Sequence, residues 1–313
     1  MQSKLDEFKM IMSLKVNDIM PPEYHMDLFH YTSPIGMQSI LFGDSNQVTL
    51  WASRYDCLND YSEGNLAEAV FQEVCLELKK CDEISEDLYK LFSTVSPAKT
   101  ILLHYHSGDE IKITRPECDR YICSFSKNKD SLAMWNYYSK GSKYEGFNIG
   151  VFPYCIKASL EKFFHETEAT FNTYPVIYKR SEQKMMIKDL LIRLRDKYDK
   201  EYETSIRYII SNKLTDWSLI FKNECFQHEE EVRIIVDVAK RENKIKINYR
   251  VNSGYVVPYI ELKLDKDVIS YVNFGPLQCE EKMKKQQVDV MEEMLSRAGY
   301  SALVEYSNIP VRY

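Results

Sequence analysis

Glycine and proline are scarce in this 313-residue chain, ten of each. That excludes a collagen-like or low-complexity protein and leaves little material for phosphate-cradling loops. There is no G-x-x-x-x-G-K-S/T, no G-x-G-x-x-G, no G-x-S-x-G elbow and no H-E-x-x-H. Long apolar runs are missing as well: no stretch approaches the ~20 residues that would span a bilayer. Lys4, Asp6, Glu7, Lys9, Lys15 and Asp18 interrupt the opening segment, so no signal-peptide core is expected. The expectation is a cytoplasmic globule with no membrane partner.

Eight cysteines are present without any C-x-x-C pair. A disulfide framework is not expected in a chain of this kind, and the cysteines read as small hydrophobes. His104 and His106 lie two apart with no second ligand pair at recognisable spacing, so no metal is expected. What the chain does have is tyrosine, 23 residues of it. A tyrosine ring buries while its hydroxyl stays polar, which suits half-buried strand positions and also the walls of a cleft for a flat ligand.

The patterning predicts a helix over 1–20, closed by Pro21-Pro22. Ser33-Pro34 predicts a helix from Pro34 to about Phe42. Further helices are expected near 65–80, 131–140, 184–200 and 279–297. Strands are expected at 48–52, 121–126, 147–151, 174–178, 231–238, 244–250, 256–262, 269–274 and 302–306. Strands and helices mix without regular alternation, which predicts an α+β fold. No linker marks a boundary. A single domain over 1–313 is expected, with its core at about 27–313 and helical insertions near 65–118 and 180–222. Residues 56–90 hold ten acidic and three basic side chains, and residues 179–222 hold eleven basic and seven acidic. The second stretch offers a basic face for nucleic acid, against the commoner alternative of a solvated mixed-charge helix face.

Four clusters carry candidate chemistry. His30-Tyr31-Thr32 ends a strand just before a helix start, where a histidine either packs or meets an anionic ligand. Trp51-Ala52-Ser53 leads into Asn59 and Asp60, a polar loop suited to ribose hydroxyls or to an Asx turn. Ser124 and Ser126 precede Asp130 and an aromatic helix bearing Trp135 and Tyr138, which forms either core or a wall for a flat ring. In the fourth, strand alternation sets Glu229, Glu231 and Arg233 on one face and Val232, Ile234 and Val236 on the other. That points a carboxylate and a guanidinium away from the core together.

Taken in order, Phe29-His30-Tyr31-Thr32-Ser33, Leu50-Trp51-Ala52-Ser53, Cys123-Ser124-Phe125-Ser126 with Met134-Trp135 and Tyr138, and Glu229-x-Glu231-x-Arg233-Ile234 resemble a bacterial family of uncharacterised proteins. That domain of unknown function is similar to ADP-ribosyltransferases of the His-Tyr-Glu type. The resemblance implies a split mixed or antiparallel sheet with flanking helices, and NAD consumed as a substrate without a metal. It implies that His30 holds the adenosine ribose, that Ser124 and Ser126 line the nicotinamide end, and that Glu231 is the catalytic carboxylate with Glu229 as a second. Trp51, Tyr55 and Tyr138 compete for the stacking role. The implied acceptor is a macromolecule, with the basic 179–222 segment favouring nucleic acid over protein. A toxin role in a toxin–antitoxin or phage-defence system would bring an antitoxin or inhibitor protein as a partner. A non-catalytic binding module and a metal-dependent nuclease using Glu229 and Glu231 are the rival readings.

Overall fold

Alternating apolar residues and well-placed breakers dictate most of the elements in the computed structural model. It describes residues 26–44, 46–58, 65–97, 103–104, 110–111, 118–138, 145–242, 244–252, 254–276 and 280–310. The expected helix over 1–20 lies outside these residues, as do Asn59 and Asp60. The fold is α+β, and the chain divides into two compact units.

The larger unit comprises Asp18–Cys57, Asp119–Pro175 and Gln227–Tyr313. Its strand β1, Leu28–Thr32, runs into helix α1, Pro34–Phe42, where Ser33 caps Gly36 N–H through its hydroxyl at 3.1 Å and proline opens the first turn. Strand β2, Val48–Arg54, follows. The smaller unit holds α2 (Leu66–Lys80), α3 (Glu86–Ser93) and a two-stranded ladder of β3 (Leu103–His104) with β4 (Glu110–Ile111). The chain returns to the larger unit as β5 (Cys118–Ser126), α4 (Leu132–Tyr138), β6 (Phe147–Val151), α5 (Pro153–Phe164) and β7 (Ala169–Pro175). Helices α6 (Arg180–Asp196) and α7 (Glu203–Trp217) complete the smaller unit. The larger one ends with β8 (Glu231–Ala239), β9 (Ile247–Asn252), β10 (Tyr255–Leu264), β11 (Ile269–Phe274), α8 (Glu281–Arg297) and β12 (Leu303–Tyr306). The stretches read as insertions, about 65–118 and 180–222, fall in the smaller unit, whose residues are Leu58–Cys118 and Val176–Phe226 apart from the chain's start.

The main sheet runs β12-β11-β6-β1-β5-β2-β10-β9, with β8 paired to both β5 and β7. It is mixed, since β11 and β12 are parallel while β1 with β5 and β6, β2 with β5 and β10, β6 with β11, β7 with β8 and β9 with β10 are antiparallel. Strand β5 therefore has three neighbours on two edges. Its contacts to β8 extend from Lys127 N–H, which donates to Glu230 O at 3.0 Å, to the Arg120–Asp237 ion pair at 2.7 Å. With β8 along one edge, β1 and β2 share the other. β1 holds it at Phe29 opposite Ser126, and β2 holds it at Ser53 opposite Ile122. The sheet forks between those two attachments.

One face of the strands packs on α1, α5 and α8, burying Leu28, Leu50, Cys123, Ile234, Ile260 and Leu295 among others. A second cluster, Phe29, Tyr31, Met134 and Trp135, seats α4 against β1. In the smaller unit, α2 buries Val70, Val74 and Leu78, the four-residue spacing expected of a half-buried helix. Among the seven described cysteines only Cys75 and Cys123 are buried, and Cys81 and Cys225 are exposed. The reading as small hydrophobes fits the buried Cys75 and Cys123 and fails at the exposed Cys81 and Cys225.

Candidate active site at the sheet fork

Beyond the Phe29–Ser126 pair, β1 and β5 part company, and the His30 side chain takes the Ser124 carbonyl in place of a ladder bond. The His30 Nδ1 to Ser124 O distance is 3.0 Å. A carbonyl only accepts, so Nδ1 carries the proton and neutral His30 is left with Nε2 as an acceptor. The ring meets Phe125 edge-on at 5.7 Å. Burial pushes the His30 pKa down, the Ser124 bond opposes that, and the nearby Arg250 guanidinium lowers it further. The imidazole in this fork is neutral at pH 7.

On the neighbouring β2, Trp51 and Ser53 project from the face opposite Leu50 and Ala52. Trp51 is 39% exposed and lies against Tyr259 of β10, ring centroids 4.4 Å apart. Ser53 is buried, and its hydroxyl accepts from Arg250 Nη2 at 2.9 Å. Arg250, on β9, also reaches over the Trp51 ring at 5.5 Å. While His30 stands opposite Ile149 on the face of Leu28 and meets the Ser124 backbone in the fork, Trp51 and Ser53 are brought together on the other face. Arg250 and Tyr259 join them unpredicted by the sequence reading. The available signal was slight: an arginine in an alternating strand whose neighbours at two residues' distance, Asn248 and Asn252, carry no charge.

The carboxylate cluster differs from expectation. Glu229 belongs to a short 3-10 helix, Glu224–Glu229, and Glu230 adopts φ 44°, so the strand begins only at Glu231. A left-handed residue between them breaks the alternation, and Glu229 and Glu231 do not share a strand face. Glu230 is held in that conformation by Lys127 N–H on its carbonyl and Asn128 Nδ2 on its carboxylate at 3.0 Å. Nor does the polar side of β8 face solvent: Glu231 is 6% exposed and Arg233 2%. Arg233 donates from Nε to Glu231 Oε1 at 2.8 Å and from Nη2 to Oε2 at 2.9 Å, a buried two-pronged pair. The Lys127–Glu230 and Arg120–Asp237 contacts follow one antiparallel register, which continues with Ser126 beside Glu231 and Ser124 beside Arg233.

Four of the residues read as ligand contacts have partners within the fold. Tyr31 is buried, donates its hydroxyl to Asn128 O at 2.8 Å and accepts from Ser131 N–H at 3.0 Å. Thr32 lies across the first turn of α1, where a β-carbon at Gly36 would fall 2.0 Å from its hydroxyl. Ser126 is buried and accepts from Asn128 N–H at 3.0 Å, closing the turn after β5. Trp135 is wholly buried and donates from Nε1 to Asp130 at 2.8 Å. An indole with no exposed surface cannot wall a ligand site. Tyr138 packs beside that cluster. Asp130 also accepts from Ser307 Oγ at 2.6 Å and Asn308 N–H at 2.9 Å, and Ser131 stands at the start of the helix.

Part of the basic stretch 179–222 is paired within its own unit, in keeping with a mixed-charge helix face. Arg180 and Lys184 of α6 pair with Glu73 of α2, Lys184 also with Glu77 at 2.8 Å, and Lys188 with Glu83 at 2.7 Å. Among the described residues no three His, Cys, Asp or Glu side chains gather as a metal-ligand set, and no helix is long and apolar enough to cross a membrane. No curated protein and no solved structure matches the chain. A family model described as a protein of unknown function (DUF2971) matches residues 134–234, the stretch from α4 to β8 that carries Glu229, Glu231 and Arg233 and omits His30, Trp51 and Arg250.

Proposed function

We propose that the chain is an NAD-dependent mono-ADP-ribosyltransferase built on an ADP-ribosyltransferase-like split sheet. The observation that carries this reading is the neutral His30 imidazole in the fork, its tautomer set by Ser124 O and its Nε2 suited to accept a ribose hydroxyl. Trp51, partly exposed on β2, takes the stacking role. Lengthening the nicotinamide–ribose bond builds positive charge on the sugar. A carboxylate at the 2′-hydroxyl stabilises that charge more in the transition state than in the ground state. Glu231 is assigned this task, with Glu229 as the second carboxylate. Arg233 orients the Glu231 carboxylate with two hydrogen bonds, at 2.8 and 2.9 Å. The acceptor in this proposal is a macromolecule. Three of the eleven cations in the basic stretch, Arg180, Lys184 and Lys188, are engaged by Glu73, Glu77 and Glu83, which weakens the lean toward nucleic acid and sets protein beside RNA or DNA. A toxin role restrained by an inhibitor protein completes the proposal.

The test is nicotinamide release from NAD by purified protein, alone and with cellular RNA, DNA and protein. Removing one electrostatic group from such a site typically costs on the order of 10²–10³ in rate. Glu231→Gln and His30→Ala are each expected to lose activity on that scale at a temperature where circular dichroism shows them folded. Intact NAD after incubation with folded wild-type protein and every acceptor fraction would remove the reading.

The enclosure of Glu231 favours a second reading, a ligand-binding module without catalysis. A carboxylate this buried and clasped by Arg233 reaches a ligand only at its edge. NAD that binds without releasing nicotinamide selects this alternative.

A further inference from the structure

Arg250 is the cation in this fold that lacks what its neighbours have. Arg54 pairs with Asp56 at 2.7 Å, and Lys263 lies within 3.6 Å of Asp44 and 3.3 Å of Glu261. Arg250 holds no carboxylate among the described residues. Its Nη2 is on the Ser53 hydroxyl, and its buried Nε has no hydrogen-bond partner at all. Burial pushes its pKa down, as expected of a guanidinium partly stripped of water without a counter-ion. A buried donor left unpaired is costly, so a missing acceptor is implied.

The sheet register explains why the group stays. Tyr259 of β10 stands opposite both Ser53 of β2 and Asn248 of β9, and Val257 stands opposite Arg250. Paired residues share a face, so Arg250, Tyr259, Ser53 and Trp51 project on one side. The guanidinium lies 5.5 Å over the Trp51 ring, which holds its plane, and its charge is felt at His30. A planar fork with an unused donor, next to a partly exposed indole, fits an anion with paired oxygens attached to a flat ring.

We infer that Arg250 is an anion anchor, binding a phosphate of a nucleoside diphosphate whose ring lies against Trp51. The inference rests on the same fork as the NAD reading and assigns it a residue for the phosphates.

Tryptophan emission reads this directly, because Trp135 and Trp217 are buried and Trp51 is the partly exposed one of the three. Wild-type protein is titrated with ADP, inorganic pyrophosphate and adenosine. ADP is expected to change the emission, pyrophosphate to compete with it, and adenosine to bind at least tenfold more weakly. Arg250→Gln should weaken ADP at least tenfold and leave adenosine unchanged. Arg250→Lys, a point charge in place of a fork, should recover part of the loss. Arg250→Met keeps the stem on Trp51 and checks that the loss follows the charge rather than packing. Equal ADP affinity in the folded Gln and Met variants, or no ADP binding by wild type at millimolar concentration, overturns the anchor. Nicotinamide release measured in parallel separates the two ideas. ADP binding that needs Arg250 without any release leaves the anchor and removes the transferase. Full release by Arg250→Gln does the reverse.

Discussion

The pair formed by Glu231 and Arg233 sets the terms for any experiment on this site. Each is almost wholly enclosed, and the pair is joined by two hydrogen bonds. Removing one partner leaves the other's charge buried, which costs on the order of 3–5 kcal/mol for a fully unpaired ion and less where an amide still accepts one bond. Glu231→Gln is therefore expected to lower the urea midpoint as well as activity. A double-mutant cycle with Arg233→Met should give a coupling of about 1–3 kcal/mol. Additive effects would show that the pair is not a unit. His30 gives a second residue-level prediction. Its folded pKa lies below the ordinary 6.5, so the unfolded chain takes up the proton first as pH falls. Stability should drop below about pH 6.5 and level off only under the depressed folded value. His30→Asn should flatten that slope in urea melts at pH 7.5 and 5.5, and an unchanged slope would mean another group titrates.

At the scale of elements, α4 and the final strand are tied through one side chain. Asp130 accepts from Trp135 Nε1, Ser307 Oγ and Asn308 N–H. Hydrogen bonds to a charged acceptor are worth more than neutral ones, and orphaned donors add a penalty. Asp130→Ala should cost about 2–4 kcal/mol, with faster amide exchange over 303–310 as its local signature. A loss spread evenly over β1 to β12 would argue against a latch. The same segment shows why the aromatic helix was read two ways. Met134, Trp135 and Tyr138 recur at helical spacing whether they face a ligand or a core. Only the seat of α4 on Phe29 and Tyr31 decides for the core.

At the scale of the molecule, described charges of the smaller unit stand in pairs. The acidic stretch 56–90 and the basic stretch 179–222 meet in the smaller unit through α2 and α6. Exposed pairs of this kind contribute roughly 0–1 kcal/mol each, and salt weakens them. With a net charge of -6 and those cations engaged, non-specific duplex DNA should bind no tighter than about 10⁻⁴ M at ~0.15 M salt, with little salt dependence. Fluorescence anisotropy across a salt series checks this. A steep negative slope would show a basic surface outside the α2–α6 pairing. Glu73→Lys, which sets a like charge beside Arg180 and Lys184, should cost about 1 kcal/mol of stability in urea melts, less at high salt.

What the sequence determined by itself was local. Ser33-Pro34 at α1, the apolar spacing of α2, the alternation of 147–151 and the bounds 269–274 were legible because each depends on residues a few positions apart. His30 and Trp51 could be singled out by type and place. Three further facts needed the tertiary structure, because each joins residues distant in the chain or a backbone angle that no side-chain pattern encodes. The left-handed turn at Glu230 separates two glutamates that look like strand partners. The fork on β5 brings His30 to the Ser124 carbonyl across 94 positions. The register of β9, β10 and β2 carries Arg250 to Ser53 across 197, where its lack of a carboxylate first becomes visible.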